Sequence, residues 1–302
     1  MLSRFGPLAR AYKACETLAR SHYENFPVAS RLLPAAMRPH VAAVYAFARV
    51  ADDIADEGSD PPAVRRARLD AWQRRLHEAA ARPAGDLEAA SRDALIFAAL
   101  GHTIRTIDLP ITLFDDLLSA FAQDITTTRY PSWAALFDYC RRSANPVGRL
   151  VLRIAGYRDD ELDRSSDALC TALQLTNFWQ DFGRDWTTGR LYVPREVQDA
   201  CGALESDVRD GRMTPEWARA IELCAARTTE AFAEGRHVCD AVRGRLRFEL
   251  RLTWLGGRRI LQHVSQSRER LLHERPTLGA SDVPALVWRA ACWRTVRWGA
   301  AI

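Results

Sequence analysis

Two stretches of the sequence place acidic side chains at helical spacing within otherwise apolar segments. The first, HVAAVYAFARVADDIADEG, carries at that spacing Tyr45, Arg49, Asp52, Asp53 and Asp56. The second, QLTNFWQDFGRD, repeats the pattern with Gln174, Asn177, Asp181 and Asp185. Residues three or four apart share one face of an α-helix. Each stretch therefore predicts a helix that projects oxygen-bearing groups from one side.

The chemistry of these two faces depends on whether they converge. Taken alone, each set of aspartates could be a solvated helix end, which is where charged side chains are usually found. Carboxylates that converge inside a bundle repel one another and raise each other's pKa unless a cation compensates them. Magnesium suits oxygen ligands, keeps several waters and shares phosphate oxygens. Two opposed acidic faces across an apolar cavity therefore predict a magnesium-bound diphosphate at its mouth, a hydrocarbon tail inside, and prenyl diphosphate chemistry.

The elements that must position these faces are helices. Helical periodicity dominates the chain, and alternating strand-like runs are hard to find, which predicts an all-α fold. Breaks are expected where proline and glycine cluster, at 58–62 and 82–85, and Pro146 predicts a kink. The predicted helices cover about 8–21, 39–57, 62–81, 89–107, 111–124, 132–155, 161–183, 214–242, 246–271 and 281–299.

Length and composition favour one globular domain. The 302 residues allow one or two domains, and we favour a single domain over 1–302 because no repeat, long linker or composition shift marks a boundary. The hydrophobic fraction of 48% is enough for a substantial core. No apolar run reaches the roughly 18 residues of a membrane span, and the N-terminus lacks the apolar region of a secretory signal. We expect a cytoplasmic protein.

Charge and cysteine usage exclude several classes of partner. The seven cysteines form no C-x-x-C pair, and their odd number and wide spacing argue against a disulfide framework or a zinc site. The net charge of +4 is carried almost wholly by arginine. Neither a basic patch nor a recognisable binding module indicates a nucleic-acid partner. An anionic ligand or a membrane surface is compatible with this composition.

At its acidic motifs the chain resembles the squalene and phytoene synthases, over about residues 22 to 257. The resemblance rests on the segments 52–56 and 174–185 and on the following GRLYVP, residues 189–194. It implies an all-α, single-domain class I isoprenoid synthase bundle with a central cavity.

The resemblance also implies roles for individual residues. The ligands of Mg²⁺ would be Asp52, Asp56, Asn177, Asp181 and Asp185. The substrate would be bound by His22, Arg49, Gln174, Asn177, Arg190 and Tyr192. Catalysis would involve Asp52, Asp56, Asp181 and Asp185, with Tyr45 and Tyr139 lining the reacting centre. His22 could instead satisfy a helix terminus, and Phe178 could stabilise a cation or simply fill the core.

Several positions depart from the pattern of family members that condense two prenyl diphosphates. Those members carry an Arg-Lys pair and a second arginine where this chain has Arg49-Val50 and Gln180; the segments 22–26 and 143–148 also differ. Because two diphosphates demand more positive charge than one, a substrate with one diphosphate fits better. The variants are similar to the hydroxysqualene synthase branch of bacterial hopanoid synthesis, which converts presqualene diphosphate to hydroxysqualene without a reductant.

Two other functions stay open. A synthase that joins two farnesyl diphosphates head to head is compatible with the same aspartates, and the cations missing at Val50 and Gln180 argue against it. Some relatives of the fold act without catalysis as lipid-binding assembly factors, but those tend to lose the acidic motifs. Contacts with other enzymes of the pathway are also left open.

The C-terminal segment 281–299 has the pattern of an amphipathic helix. Arg289, Arg294 and Arg297 fall on one side, whereas Trp288 and Trp298 lie largely on the other. Tryptophan and arginine suit the headgroup region of a bilayer, which predicts weak peripheral association with the inner face of the membrane. A terminal helix docked on the bundle would show the same pattern.

Overall fold

The computed structural model describes residues 2–21, 32–56, 60–83, 85, 87 and 90–293. His22 with the segment 22–30, and the chain from Arg294 onward with Arg297 and Trp298, lie outside the described residues. The described part is helical and contains no β-strand, so the all-α prediction is confirmed; one parallel β-bridge joins Arg129 and Leu191.

The helices follow one another with short connections. After a 3₁₀ segment over Leu2–Leu8, they are α1 (Ala9–Ser21), α2 (Arg38–Asp56), α3 (Pro62–Ala81), α4 (Arg92–Ile107), α5 (Ile111–Asp124), α6 (Trp133–Ser143), α7 (Asn145–Ile154), α8 (Asp160–Gln180), α9 (Phe182–Thr187), α10 (Arg195–Cys201), α11 (Glu205–Arg209), α12 (Pro215–Glu234), α13 (His237–Ala241), α14 (Gly244–Gln266) and α15 (Asp282–Ala291).

Three of the helices were predicted as continuous, and this is wrong, because each is broken in the structure. The predicted helix 132–155 is divided at Ala144, because Pro146 in the first turn of α7 has no amide hydrogen to continue the pattern from α6. The predicted helix 161–183 ends at Gln180, where α9 takes over. The predicted helix 214–242 breaks at Gly235, which packs so closely on the Leu169 backbone that a Cβ would collide with it.

The ends of the predicted helices are less accurate than their positions. Helix α14 ends at Gln266, five residues before the predicted end, and the described part of the last helix ends at Ala291. The short helices α10 and α11 escaped prediction because segments of 7 and 5 residues hold too few turns to show a period.

Side-chain caps begin several of these helices. Ser91, Ser132 and Asp159 each accept a hydrogen bond from a backbone amide three residues further on, at 3.2, 3.3 and 2.8 Å. Thr214 caps α12 in the same way. Each cap stabilises its helix by about 1 kcal/mol, because it satisfies an amide that has no partner within the helix.

Each of the two helices that carry the acidic faces, α2 and α8, packs on several other helices in the core. Buried apolar side chains from Ala11 to Ala290 form one contiguous cluster. Helix α2 packs on α1, α4 and α5, whereas α8 packs on α7, α12 and α14. Asn145 strengthens one of these contacts, since its Oδ1 accepts a hydrogen bond from Thr171 of α8 at 2.9 Å. Among the described residues, no helix has both the length and the apolar character needed to cross a bilayer.

Candidate active site

The first acidic face lies on one uninterrupted helix. Helix α2 runs to Asp56, and its buried side, including Val50, packs into the core. The guanidinium of Arg49 lies 2.6 Å from Asp53 Oδ1 and 3.7 Å from Asp52 Oδ2. Burial alone would lower the pKa of Arg49, but Asp53 and Asp52 raise it. The face therefore carries its own cation one turn before the carboxylates.

The second acidic face spans a helix junction. Helix α8 ends at Gln180 and α9 begins at Phe182, so Asp181 sits between them with non-helical dihedral angles, φ −93° and ψ 11°. The chain nevertheless stays coiled, because the amide of Asp185 donates to the Asp181 carbonyl at 2.9 Å. The junction therefore keeps the carboxylates of Asp181 and Asp185 about one helical turn apart.

Arg190 joins the two faces. Its guanidinium donates two hydrogen bonds to the Asp56 carboxylate, at 3.0 and 2.5 Å. Its backbone amide donates to the Asp185 carbonyl at 2.8 Å. The turn is made by Gly189, whose φ of +82° suits glycine, and by the amide of Leu191, which donates to the Thr128 carbonyl at 3.0 Å. The structure thus brings Asp56 and Asp185 to the same place.

The carboxylates of this site outweigh the arginines between them. Burial raises the pKa of Asp185 to about 7, with Asp181 and Asp56 adding to the shift against Arg190 and Arg275. Burial also raises the pKa of Asp52 to about 6, with Asp56 adding to the shift against Arg49. Burial is the first cause of both shifts, and in each case a neighbouring carboxylate counts for more than the nearest arginine, so the site suits a further cation.

Asp124, which sequence reasoning missed, is a buried acid beside the same site. Burial raises its pKa to about 7, opposed by the hydrogen bond from Tyr139 and by Arg190. The Tyr139 hydroxyl donates to Asp124 Oδ2 at 2.8 Å, and Oδ1 is buried with no hydrogen-bond partner in the described part of the chain. A lone aspartate at the end of α5 belongs to no motif, so the sequence carried no signal for it.

Arg275 is a second residue that the sequence did not reveal. Its guanidinium clamps the Asp181 carboxylate through Nε and Nη2, the latter at 3.2 Å from Oδ2. It reaches this position from the irregular segment between α14 and α15, 94 residues away in the chain. Nothing in its local sequence distinguishes it from the many other arginines.

Four aromatic side chains pack beside these acids. Phe178 stacks on Tyr192 with ring centroids 3.7 Å apart, and Tyr139 lies 6.1 Å from Phe178 and 6.4 Å from Tyr192. Tyr130 completes the group at 5.5 Å from Tyr139. We call these residues the aromatic cluster. Phe178 and Tyr139 are buried. Phe178 can therefore fill the core, as expected, and line the site as well.

The remaining site residues lie on the same two helices. Gln174 and Asn177 are half-buried on α8, two turns and one turn before Asp181. Tyr45 is half-buried on α2, one turn before Arg49, and adds to the upward shift of the arginine pKa. His22 lies outside the described residues.

The donors suit a metal that shares its ligands with a substrate. No three His, Cys, Asp or Glu side chains of the described residues lie close enough to enclose a metal ion by themselves. Magnesium typically takes only one or two protein carboxylates and fills its remaining positions with water and phosphate oxygens. Under-compensated aspartates on two facing elements fit that requirement.

A groove of about 970 Å³ lies elsewhere on the molecule, between α3 and α4. It is lined by Arg75, Arg82, Phe97 and Arg105 among others. None of the residues of the two acidic faces or of the aromatic cluster contributes to it, so it is not part of this site.

The same two acidic faces lie within a region that matches a known family. The sequence profile of the squalene/phytoene synthase family matches residues 19–282. The chain belongs to this family. Members of the squalene/phytoene synthase family are prenyltransferase-type enzymes that act on prenyl diphosphates.

Individual relatives share much of the chain. The hydroxysqualene synthase of Zymomonas mobilis is 40% identical over 207 residues, 68% of this chain and 66% of the relative. The hydroxysqualene synthase of Rhodopseudomonas palustris is 34% identical over 221 residues, 73% of this chain and 72% of the relative. The chain thus spans about two thirds of the length of the first relative and slightly more of the second.

Solved structures agree on the fold. The squalene synthase HpnC of Alicyclobacillus acidocaldarius superposes with a TM-score of 0.78 at 43% identity, covering 86% of this chain and 95% of that chain. A dehydrosqualene synthase solved with a ligand gives a TM-score of 0.81 at 21% identity, with 96% and 98% covered. The second likeness concerns the fold alone.

Proposed function

We propose that the chain is a hydroxysqualene synthase, which converts presqualene diphosphate and water to hydroxysqualene and inorganic diphosphate. The observation that carries this proposal is the meeting of Asp56 and Asp185 at Arg190, directly beside the aromatic cluster. An acidic, arginine-lined site suits a metal-bound diphosphate, and adjacent ring faces suit a hydrocarbon cation. The similarity to two hydroxysqualene synthases supports the choice of substrate.

We infer Mg²⁺ as the cofactor. The residues that would hold it are Asp52, Asp56, Asn177, Asp181 and Asp185. When bound, magnesium would neutralise the charge that develops on the departing diphosphate. Arg190 and Arg275 would bind diphosphate oxygens through the same donors that now contact Asp56 and Asp181, because guanidinium groups pair with phosphate as they do with carboxylate.

The aromatic cluster would orient the hydrocarbon and stabilise its positive charge. Each ring face contributes about 0.5–2 kcal/mol to the stability of a nearby cation. Tyr139 and Tyr192 would present such faces, while the stacked Phe178 holds Tyr192 in place. Asp124 fixes the Tyr139 hydroxyl, so that its proton is held at one defined position beside the cation.

The structure changes the meaning of the missing cations. Val50 is buried in the core, and the side chain of Gln180 is buried and donates to the Pro276 carbonyl at 2.7 Å. Neither side chain is therefore an uncharged group that stands at the acidic faces in place of a cation. Arg275 brings a cation to Asp181 that the sequence motifs do not contain. The number of diphosphates bound stays a prediction, and its support comes from the relatives rather than from counting charges.

We also propose weak peripheral contact with a membrane through the last described helix. Leu278, Val283, Val287 and Trp288 are exposed, with 70% of Trp288 open to solvent. Leu278 lies in the segment that carries Arg275, and the other three residues lie on the helix that follows it. Co-sedimentation with anionic vesicles should fall when Val287 and Trp288 are both changed to Ser. Equal sedimentation of the variant would remove this proposal.

Product analysis tests the proposed reaction. Purified protein with Mg²⁺ is incubated separately with presqualene diphosphate and with farnesyl diphosphate, without NADPH, and the extracts are analysed by gas chromatography and mass spectrometry. Hydroxysqualene from presqualene diphosphate alone is expected. Consumption of farnesyl diphosphate would instead make the protein a head-to-head condensing synthase, the main alternative. An inert protein in both reactions would favour the lipid-binding, non-catalytic alternative.

A further inference from the structure

The segment 267–281, which connects α14 to α15 and which we call the strap, lies against the second acidic face. It contains turns but no regular helix. Its Leu271 and Pro276 are buried, unlike most of its neighbours. The contacts that hold these two positions come from the α8–α9 junction, where Asp181 is located.

Gln180 provides the first of these contacts. Its buried Nε2 donates to the Pro276 carbonyl at 2.7 Å. A buried carbonyl that loses its donor is costly, because no water replaces the bond. Gln180 is therefore part of the attachment of the strap, although it stands directly before Asp181 in the motif.

Gly183 provides the second contact. It is buried, and a Cβ at this position would collide with the carbonyl group of Leu272. Its dihedral angles do not require glycine, so the residue serves the close approach of two backbones. The motif QDFG thus holds the strap at Gln180 and at Gly183, with Asp181 between them.

Arg275 lies between these two attachments and clamps Asp181. The far end of the strap is fixed independently: Asp282 accepts hydrogen bonds from Arg259 Nε at 2.7 Å and from the Gly279 amide at 2.8 Å. Residues 271–276 are held by the QDFG motif and, at His273, by a hydrogen bond to the Gly211 carbonyl at 3.3 Å, so among these contacts only those at Leu272 and Pro276 come from the motif.

We infer that Gln180 is a positioning residue, which docks the strap on the second acidic face and so holds Arg275 where it can bind the diphosphate of the substrate. The inference rests on the proposed function for the identity of the ligand. Gln180 acts through the Pro276 carbonyl and does not itself touch the diphosphate. Gln180 stands where the family members that condense two prenyl diphosphates carry an arginine, and it holds in place a different arginine, Arg275.

The test compares Gln180→Leu, Arg275→Ala and the double variant in the full-length protein. Hydrogen exchange of the amides in 270–278 is measured without ligand, and binding of inorganic pyrophosphate with Mg²⁺ is measured by calorimetry. Gln180→Leu is expected to speed strap exchange and to weaken pyrophosphate binding, each by roughly 10-fold. In the double variant, binding should be no weaker than in Arg275→Ala, because both changes remove the same cation. With substrate, Gln180→Leu should raise KM far more than it lowers kcat.

Thr228→Val is the matched control. Thr228 of α12 is buried, and its hydroxyl accepts a hydrogen bond from Trp179 Nε1 at 2.8 Å. Trp179 is the neighbour of Gln180 in the chain and points to another side of α8. This variant should lower Tm while strap exchange and pyrophosphate affinity stay at wild-type values. A merely structural role for Gln180 predicts the same behaviour for Gln180→Leu.

Each contrary outcome has its own meaning. Wild-type strap exchange and pyrophosphate affinity in Gln180→Leu would overturn the inference and leave the proposed function standing. Additive losses in the double variant would also overturn it, because the two residues would then act separately. A wild-type protein that binds no pyrophosphate in the presence of Mg²⁺ would overturn the proposed function, and the inference with it.

Discussion

The two acidic faces are built from similar residues but are supported in different ways. On α2, the carboxylates lie on a continuous helix, and Arg49, one turn earlier, provides a local cation for Asp52 and Asp53. On the α8–α9 junction, the helix breaks at Asp181, and the clamping cation, Arg275, comes from 94 residues further along the chain. Helical spacing in the sequence predicts the contact of Arg49 with its neighbours, but it cannot predict the contact of Arg275 with Asp181.

Arg190 connects the two kinds of support. It binds the carboxylate of Asp56 through its side chain and the carbonyl of Asp185 through its backbone. Each face is thus attached to a remote arginine that could exchange a carboxylate for a phosphate. The difference lies in rigidity: Arg190 sits in a turn held by Gly189 and Leu191, whereas Arg275 depends on the attachment of the strap.

Removing one carboxylate from either face should have the largest effect. Asp56→Asn and Asp181→Asn are each expected to lower kcat/KM by more than about 100-fold. Residues that only contact a metal's ligands typically cost up to about 100-fold, and a direct ligand should cost more. Steady-state assays with presqualene diphosphate measure this. Asp138→Asn, an exposed aspartate held by Arg141 and Arg142, is the control and should leave turnover unchanged. Full activity in one of the two site variants would mean that the faces do not serve one site.

Removing the remote arginines should have the next largest effect. Arg190→Ala and Arg275→Ala should each raise KM by roughly 10- to 100-fold, since each loses charge-assisted hydrogen bonds to diphosphate. The loss should be greater for Arg190, which joins both faces. Arg184→Ala is the control: its guanidinium lies 3.9 Å from Asp181, but 70% of its side chain is exposed, so KM should change little. Equal losses for Arg184 and Arg275 would show that net charge matters rather than the clamp.

Changing Asp124 should have a smaller effect that is confined to chemistry. Asp124→Asn and Tyr139→Phe are each expected to lower kcat by about 10-fold with little change in KM, because both disturb one hydrogen bond beside the cation. The double variant should be little worse than either single one. Losses that multiply would indicate that the two side chains act independently.

The pH dependence of stability should show the smallest effect. Because the pKa values of Asp124 and Asp185 are raised to about 7, the folded protein holds protons that the unfolded chain releases above its ordinary carboxyl pKa. Their contribution to stability is therefore present at low pH and is lost as pH rises towards 7. In EDTA, Tm of the wild type should fall from pH 5 to pH 8 by more than Tm of the Asp124→Asn/Asp185→Asn variant. An equal change in both proteins would contradict the raised pKa values.

Much of the fold and of the acidic faces could be predicted from the sequence, because both depend on spacing within one helix. The helices α2 and α8, and the residues along their faces, follow from i, i+3 and i+4 periodicity. Arg190 was predicted through the motif that contains it. The roles assigned to these residues stay predictions.

The rest depends on tertiary contacts that leave no local pattern. Asp124, Tyr130 and Arg275 reach the site from α5, a loop and the strap, and each is a single residue among many of its type. The break at Asp181 was hidden because the apolar spacing continues into α9. The sequence pattern indicates a missing charge at Gln180, because a sequence does not show that its amide donates to the Pro276 carbonyl.

Calorimetric titration with inorganic pyrophosphate tests most directly whether the two acidic faces form one metal-assisted diphosphate site. Wild-type protein should bind pyrophosphate at least about ten times more tightly with Mg²⁺ than with EDTA. That gain should disappear in Asp56→Asn and in Asp181→Asn alike. Equal affinity with and without Mg²⁺, or a gain that survives the loss of either aspartate, would contradict a shared site.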